Sequence, residues 1–248
     1  MDREQVELDA PGLDRPGTLI RYGHWGRPVL AFPSEQGRAW DYENNGMVAA
    51  VADLVDAGRV KLYCADSFDH VTWSDTSVSL EERARRHGLY ESWITDRVVP
   101  AIRSDSPGSG DILTTGCSLG AYHALNFTLK RADLFPHAIC LSGNYDPSTW
   151  GAWGERGDAA YFNNPADYLR HVDGDHLDWL RSRVFVVLVV GQGDWETHPT
   201  GSLPSAHATA ALLRDKGIPH ELDLWGHDVA HDWPWWRRQI AHHLPRFC

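Results

Sequence analysis

Short runs of apolar and β-branched residues recur along this chain, separated by longer stretches in which apolar positions return at helical spacing. The runs GTLIRYG, RPVLAFP, RVKLYCADS, GDILTTG, HAICLSG, RVFVVLVVG and PHELDLWG predict strands. Helical periodicity predicts helices over Leu80 to Ile102, Leu119 to Arg131, Pro204 to Lys216 and Pro234 to His243. Several of the strand runs are apolar throughout, which a sheet tolerates only when helices cover both of its faces. Such strands alternating with helices predict the α/β class, with a mainly parallel sheet and right-handed connections. The longest apolar run, Val184 to Val190, is too short to cross a bilayer and reads as a buried strand.

The least regular stretch is Gly143 to Asp178, dense in Gly, Pro, Asn and aromatic residues. An insertion of that length between core strands serves as a lid or wall over a site, or as a crossover built from short helices. No internal repeat or low-complexity linker divides the 248 residues, so a single domain spanning 1–248 is expected. Composition then narrows the function classes. With 42% hydrophobic residues and 12 Trp, the chain is globular rather than disordered. A net charge of -11 without a basic stretch argues against a nucleic-acid partner. The opening MDREQVELDAPGL is acidic where an export signal is basic and then apolar, which predicts a cytoplasmic location without membrane association. Cys64, Cys117, Cys140 and Cys248 are far apart and lack CxxC spacing; three lie in or beside apolar runs, so buried thiols are expected rather than disulfides.

Candidate chemistry begins in DILTTGCSLGAYHALNF: an apolar strand, then Gly116-Cys117-Ser118-Leu119-Gly120, then a helical run. This is G-x-S-x-G in the strand–turn–helix setting that a nucleophile elbow requires. A serine raised on so sharp a turn needs small flanking residues, and Gly116 and Gly120 supply them. Its hydroxyl then stands at a helix N-terminus, where free N–H groups favour developing negative charge. A serine there also suits an ordinary helix N-cap, but the strand before it and the helix after it favour the catalytic reading. Cys117, at the variable position, is expected to face the core.

A serine hydroxyl needs a base, and the base needs an acid to orient it. On folds with this elbow the acid follows a later strand and the histidine follows the last one. After RVFVVLVV the chain reads GQGDWETH, offering Asp194 and Glu196; after HELDLW it reads GHDVAHDW, offering His227 and His231.

These pieces resemble the Putative esterase family of α/β-hydrolases, with feruloyl esterases, S-formylglutathione hydrolases and secreted mycolyltransferases among its members. The resemblance runs from about Pro28 to the C-terminus. It is carried by LYESWITDRVVPAI, TTGCSLGAYHALNFTLKRADLFPHAICLSG, GQGDWE, LLRDKGIPHELDLW and HDWPWWRRQI. It implies an α/β-hydrolase fold and a serine esterase that works through an acyl-enzyme. In that family the histidine commonly precedes a small or acidic residue and an aromatic, with another aromatic and a basic residue following. His231, in HDWPWWRR, fits that frame and His227 does not. The resemblance also implies oxyanion N–H donors from Leu119 and from the loop LAFPSEQGRAWDYENNG, where Ser34 or Glu35 stands in place of the usual His-Gly. Asp194 best matches the Gly-x-x-Asp placement and is the expected acid. Glu196 is the alternative, because its longer side chain reaches the same imidazole and mycolyltransferases use a glutamate.

CADSFDHVTWSDTS, after another strand, offers Asp66, Ser67, His70 and Trp73 as a cleft wall, and Asp69-His70 as a second conceivable acid–base pair. Trp40, Tyr42, Tyr145, Trp150 and Trp153 are further candidates to hold an acyl or aryl group. Trp40, Trp73 and Trp150 are the expected substrate contacts, although loop tryptophans more often anchor packing. HDVAH has the spacing of a zinc-protease pair, but Asp stands where the catalytic Glu belongs and no third ligand is evident. No metal and no cofactor are expected. The expected partner is a small-molecule ester, and a homo-oligomer is compatible with the chain. An acyltransferase using the same acyl-enzyme, or a hydrolase-fold module that only binds, are the alternative readings.

Overall fold

The structure, a computed structural model, describes residues 1–199 and 201–248. All seven strand-like runs become strands of one sheet: β2 Gly17–Tyr22, β3 Arg27–Phe32, β4 Val60–Ala65, β5 Leu113–Cys117, β6 His137–Leu141, β7 Phe185–Val190 and β8 His220–Leu224. An eighth, β1 Arg3–Leu8, was not foreseen, because its residues are exposed up to Leu8 and carry no apolar signal. It pairs antiparallel with β2, which itself lies antiparallel to β4. The remaining pairs are parallel, and the order across the sheet is β1-β2-β4-β3-β5-β6-β7-β8.

Strand alternation sorts the core into two layers. Leu30, Phe32, Val186, Leu188 and Val190 face one layer, with the helices Leu80–Trp93, Leu119–Lys130 and Ser202–Asp215 over them. Val29, Ala31, Val187 and Val189 face the other, against Trp236 and Ile240 of the helix Trp233–His243. Burial on both sides is what the apolar runs required. Cys64, Cys117 and Cys140 lie buried and unpaired on these strands, while Cys248 is exposed.

The expected helix from Leu80 to Ile102 forms with a break in it. It opens on Ser79, whose hydroxyl accepts from the Glu82 amide at 3.3 Å. After Trp93 it passes through a π-helical turn, Ile94–Val98, and resumes as Val99–Asp105. Pro100 explains the break: it has no N–H to continue the ladder, and its ring crowds the preceding turn.

The 143–178 insertion folds into short helices, Asp158–Phe162, Pro165–His171 and the start of Gly174–Arg183. It is pinned from the helix Leu80–Trp93. The Glu81 carboxylate accepts from the amides of Gly157, Ala159 and Ala160 at 2.8, 3.2 and 2.9 Å. The Arg83 guanidinium donates to the carbonyls of Trp73 and Trp150 at 2.9 and 3.0 Å. The insertion is therefore fastened to this helix at Trp150 and over residues 157–160.

Candidate active site

At the end of β5 the chain reverses at Ser118, whose φ of 58° and ψ of -121° are strained for a residue with a Cβ. Both flanking glycines are sterically compelled. A Cβ on Gly116 would stand 2.2 Å from the Gly120 carbonyl oxygen, and one on Gly120 would stand 2.3 Å from that of Pro33. Cys117 is buried with its Sγ 3.5 Å from the Tyr42 hydroxyl, facing the core as its position predicted.

His231, in the loop between β8 and the last helix, places Nε2 3.0 Å from Ser118 Oγ. Its Nδ1 lies 3.2 Å from Glu196 Oε2 and 3.4 Å from Ser202 Oγ. The tautomer follows from these partners. A carboxylate can only accept, and the Ser202 hydroxyl already donates to the Ser142 carbonyl at 2.7 Å, so Nδ1 carries the proton. Nε2 is then left with its lone pair toward Ser118. His227 is exposed and does not pair with His231.

The structure distinguishes the two carboxylates that the sequence offered, and the one at His231 is the alternative, Glu196, not the expected Asp194. Asp194 is exposed, and the group of it that meets His231 is its carbonyl, which accepts from the His231 amide at 3.0 Å. Glu196 is fully buried and carries the carboxylate at the imidazole. The physical reason is the backbone between them. Trp195 has a left-handed φ of 67°, which turns the chain so that position 196 faces inward and its extra methylene spans the remaining distance.

The loop after β3 also sorts its candidates. Ser34 directs both its amide and its hydroxyl to Asp41 Oδ2, at 3.0 and 2.9 Å, so it is not a free donor. Glu35 lines the cavity beside Ser118 and Leu119, and its amide has no acceptor among the described residues. Leu119 opens its helix, so its N–H has no intrahelical acceptor. The amides of Leu119 and Glu35, both cavity-lining residues, thus have no hydrogen-bond acceptor among the described residues.

A cavity of about 360 Å³ extends from Ser118 over Leu119 to Trp73, Trp150 and Glu35. A second lobe of about 350 Å³ shares Ser118 and Trp150 but runs past His231 to His198 and the exposed Trp195. Trp73 and Trp150 both line the first lobe and meet edge to face at 5.5 Å between ring centres. Trp40 is corrected: it packs on the Val29–Trp236 layer with the Arg38 guanidinium 4.6 Å above its ring, and it lines neither lobe. Tyr42 and Tyr145 are core residues, and Trp153 stands outside, 52% exposed.

The expected polar wall after β4 has a different role. Buried Asp66 accepts from Arg15, Arg38 and the amides of Thr18 and Ala39 at 2.6 to 2.9 Å. Ser67 Oγ donates to the Gly37 carbonyl. Asp69 and His70 do not pair with each other: Asp69 meets His123 at 3.0 Å, and His70 meets Asp14 at 2.8 Å. The metal-like cluster among the described residues is Asp223, His242 and His243, and it includes neither histidine of HDVAH. His243 already has Asp223 on one nitrogen and Arg246 on the other, at 2.9 and 3.0 Å, which leaves no lone pair directed at an ion.

Sequence reasoning missed Ser142 and Ser202. Each is a small polar residue beside an element end, and only the position of Ser142 directly after the β6 run hinted at it. Together with Gln36, Ser118 and Trp195, Ser142 completes the set of non-glycine residues with positive φ among the described residues. All four are at this site or adjoin a residue that lines it. Strain of this kind persists where the surroundings over-determine it, as at functional sites.

No curated protein sequence matches the chain. Among solved structures it is similar to a ferulic acid esterase, with a TM-score of 0.75 and 18% identity over 99% of this chain and 97% of that one. It is also similar to FphF, a fluorophosphonate-binding serine hydrolase of Staphylococcus aureus, with a TM-score of 0.71 and 12% identity over 99% and 97% of the two chains. An S-formylglutathione hydrolase from Agrobacterium tumefaciens follows, with a TM-score of 0.66 and 15% identity over 98% and 93%. At such identities the likeness carries the fold, which is that of the α/β-hydrolases. The sequence profile of the family described as "Putative esterase" matches residues 33–247, nearly the whole chain. The chain therefore belongs to the Putative esterase family.

Proposed function

We propose that this protein is a serine esterase that cleaves a carboxylic ester through an acyl-enzyme. The observation that carries the reading is the hydrogen-bonded row Ser118–His231–Glu196, with Nε2 3.0 Å from the hydroxyl and the carboxylate on the opposite nitrogen. His231 takes the Ser118 proton as Oγ attacks the acyl carbon, and Glu196 steadies the imidazolium that forms. The amides of Leu119 and Glu35 stabilise the oxyanion. His231 then returns its proton to the departing alkoxide, which leaves as the alcohol. Water, activated by the same histidine, releases the acid and restores Ser118. Trp73 and Trp150 provide an aromatic wall for one side of the ester, and the lobe past His231 receives the other. The partner is a small-molecule ester.

Fluorophosphonate labelling of the wild type and of Ser118→Ala, with turnover of p-nitrophenyl acetate, tests the reading. Labelling and turnover are expected to disappear in Ser118→Ala and in His231→Ala, while His227→Ala keeps most of both. Labelling that survives Ser118→Ala would remove the proposal. Competition by added alcohols tells which acceptor the acyl-enzyme prefers. A rate independent of alcohol supports hydrolysis, and an obligatory alcohol would make the protein an acyltransferase.

A further inference from the structure

We infer that Ser142, with Trp236 behind it, is a positioning residue that holds Glu196 in the orientation His231 needs. The inference rests on the reading of Ser118, His231 and Glu196 as a triad. Ser142 follows β6 directly and is fully buried. Every polar atom it has is engaged. Its amide donates to the Val189 carbonyl at 2.8 Å, and its carbonyl accepts from Ser202 Oγ at 2.7 Å. Its hydroxyl lies 2.5 Å from Glu196 Oε1 and 3.0 Å from Trp236 Nε1.

The direction of these bonds is determined by donor chemistry. An indole N–H can only donate, so the Ser142 oxygen accepts from Trp236 and its proton goes to Glu196. Glu196 is thereby held at both oxygens, Oε1 by Ser142 and Oε2 by His231 Nδ1 at 3.2 Å. A glutamate has one more rotatable bond than an aspartate. Without the second hydrogen bond, its carboxylate could turn about that bond and leave Nδ1. Trp236 also meets the His231 ring edge to face at 4.9 Å, so one side chain braces both the imidazole and the hydroxyl that orients its acid.

The backbone argues for a functional reason too. Ser142 has φ 54°, a left-handed conformation in which glycine is at ease and a serine is strained. A position selected for packing alone is better served by glycine. Serine supplies the hydroxyl that glycine lacks, and the strain is tolerated where that hydroxyl is needed.

The test is steady-state hydrolysis of p-nitrophenyl acetate by Ser142→Ala, Ser142→Gly and Trp236→Phe, each alone and combined with Glu196→Gln, with melting temperatures measured alongside. Loss of a hydrogen bond to a charged group lowers kcat by on the order of tenfold in both Ser142 variants. KM stays near the wild-type value, because Ser142 does not line the cavity. Ser142→Gly, which relieves the left-handed strain that Ser142→Ala keeps, melts higher than Ser142→Ala while both are equally slow, which separates the role from folding. Trp236→Phe, which keeps a ring against His231 but lacks the N–H, loses a smaller factor of kcat. In the Glu196→Gln background the Ser142 substitutions cost no more than about twofold, because the group they act through is already gone. A full additional tenfold loss in that background, an unchanged kcat in both Ser142 variants, or a loss seen in KM alone would overturn the inference while leaving the triad in place. Wild-type kcat in Trp236→Phe would remove Trp236 from it. Turnover that survives Ser118→Ala would instead overturn the triad reading beneath it.

Discussion

One residue, Trp195, separates Asp194 from Glu196, and its conformation decides which carboxylate meets the histidine. The family resemblance favours Asp194, which best matches the Gly-x-x-Asp placement. The left-handed turn at Trp195 brings Glu196 inward, fully buried, and leaves Asp194 to contribute its carbonyl to the His231 amide. Glu196→Gln should therefore lower kcat for p-nitrophenyl acetate by about two to four orders of magnitude, since an amide N–H directed at Nδ1 disfavours the required tautomer. Asp194→Asn should stay within about twofold of the wild type, because the backbone contact is retained. A larger loss in Asp194→Asn than in Glu196→Gln would return the acid to position 194.

Between strands, the wall built from residues 143–178 depends on the helix Leu80–Trp93. Burial works against the charge of Glu81, but the amides of Ala160, Gly157 and Ala159 together outweigh it and hold the carboxyl below its ordinary value. A carboxyl depressed in the folded state stabilises the fold above its unfolded value of roughly 4.3, and loses that contribution as pH falls through the lower folded value. Glu81→Gln should cost about 1–2 kcal/mol at neutral pH, because an amide cannot accept all three N–H groups. The gap in melting temperature between the two proteins should narrow as pH falls below about 4. Arg83, two residues along the same helix, holds the Trp73 and Trp150 carbonyls, so the aromatic side of the cavity is set by a helix that contributes no reacting group.

Over the whole molecule, Asp66 joins the antiparallel extension to the parallel sheet. From the end of β4 it accepts from Arg15 in the β1–β2 connection, Thr18 in β2, and Arg38 and Ala39 in the loop that carries Glu35. Burial opposes its ionisation, yet the hydrogen bonds from Arg38, Thr18, Ala39 and Arg15 hold its pKa below the usual carboxylate range. The sign is the same as for Glu81: the stabilisation is complete above the unfolded value near 3.9 and is lost in acid. Asp66→Asn should destabilise the protein by about 3 kcal/mol at pH 7, leaving two guanidinium groups without their shared carboxylate. Denaturant midpoints measured from pH 7 to pH 3 should fall more steeply in the wild type than in this variant. Equal slopes would show that Asp66 stays charged throughout. None of the described helices is long and apolar enough to cross a membrane.

What the sequence determined by itself was written in neighbouring residues. Apolar runs marked the central strands β3 to β7 because burial on both faces leaves few polar positions to obscure them, and the Ser118 elbow was legible because Gly116 and Gly120 must lack a Cβ for so tight a turn. Of the two histidines, the one that lies at Ser118 is His231, which the family resemblance singled out by the aromatic and basic residues after it. Only the tertiary structure decided the rest, because those choices depend on residues far apart in the chain. Glu196 meets Ser142 across 54 residues, and Trp236 reaches that same hydroxyl across 94. Ser34 was removed as a donor by Asp41, and Trp40 was drawn into the opposite core layer; neither event leaves a local pattern. The left-handed turns at Ser142 and Trp195 are equally silent, because serine and tryptophan do not announce a positive φ as glycine does. Local sterics and burial period can be read from one stretch of chain, whereas the direction of a buried hydrogen bond is known only when both its partners are in place.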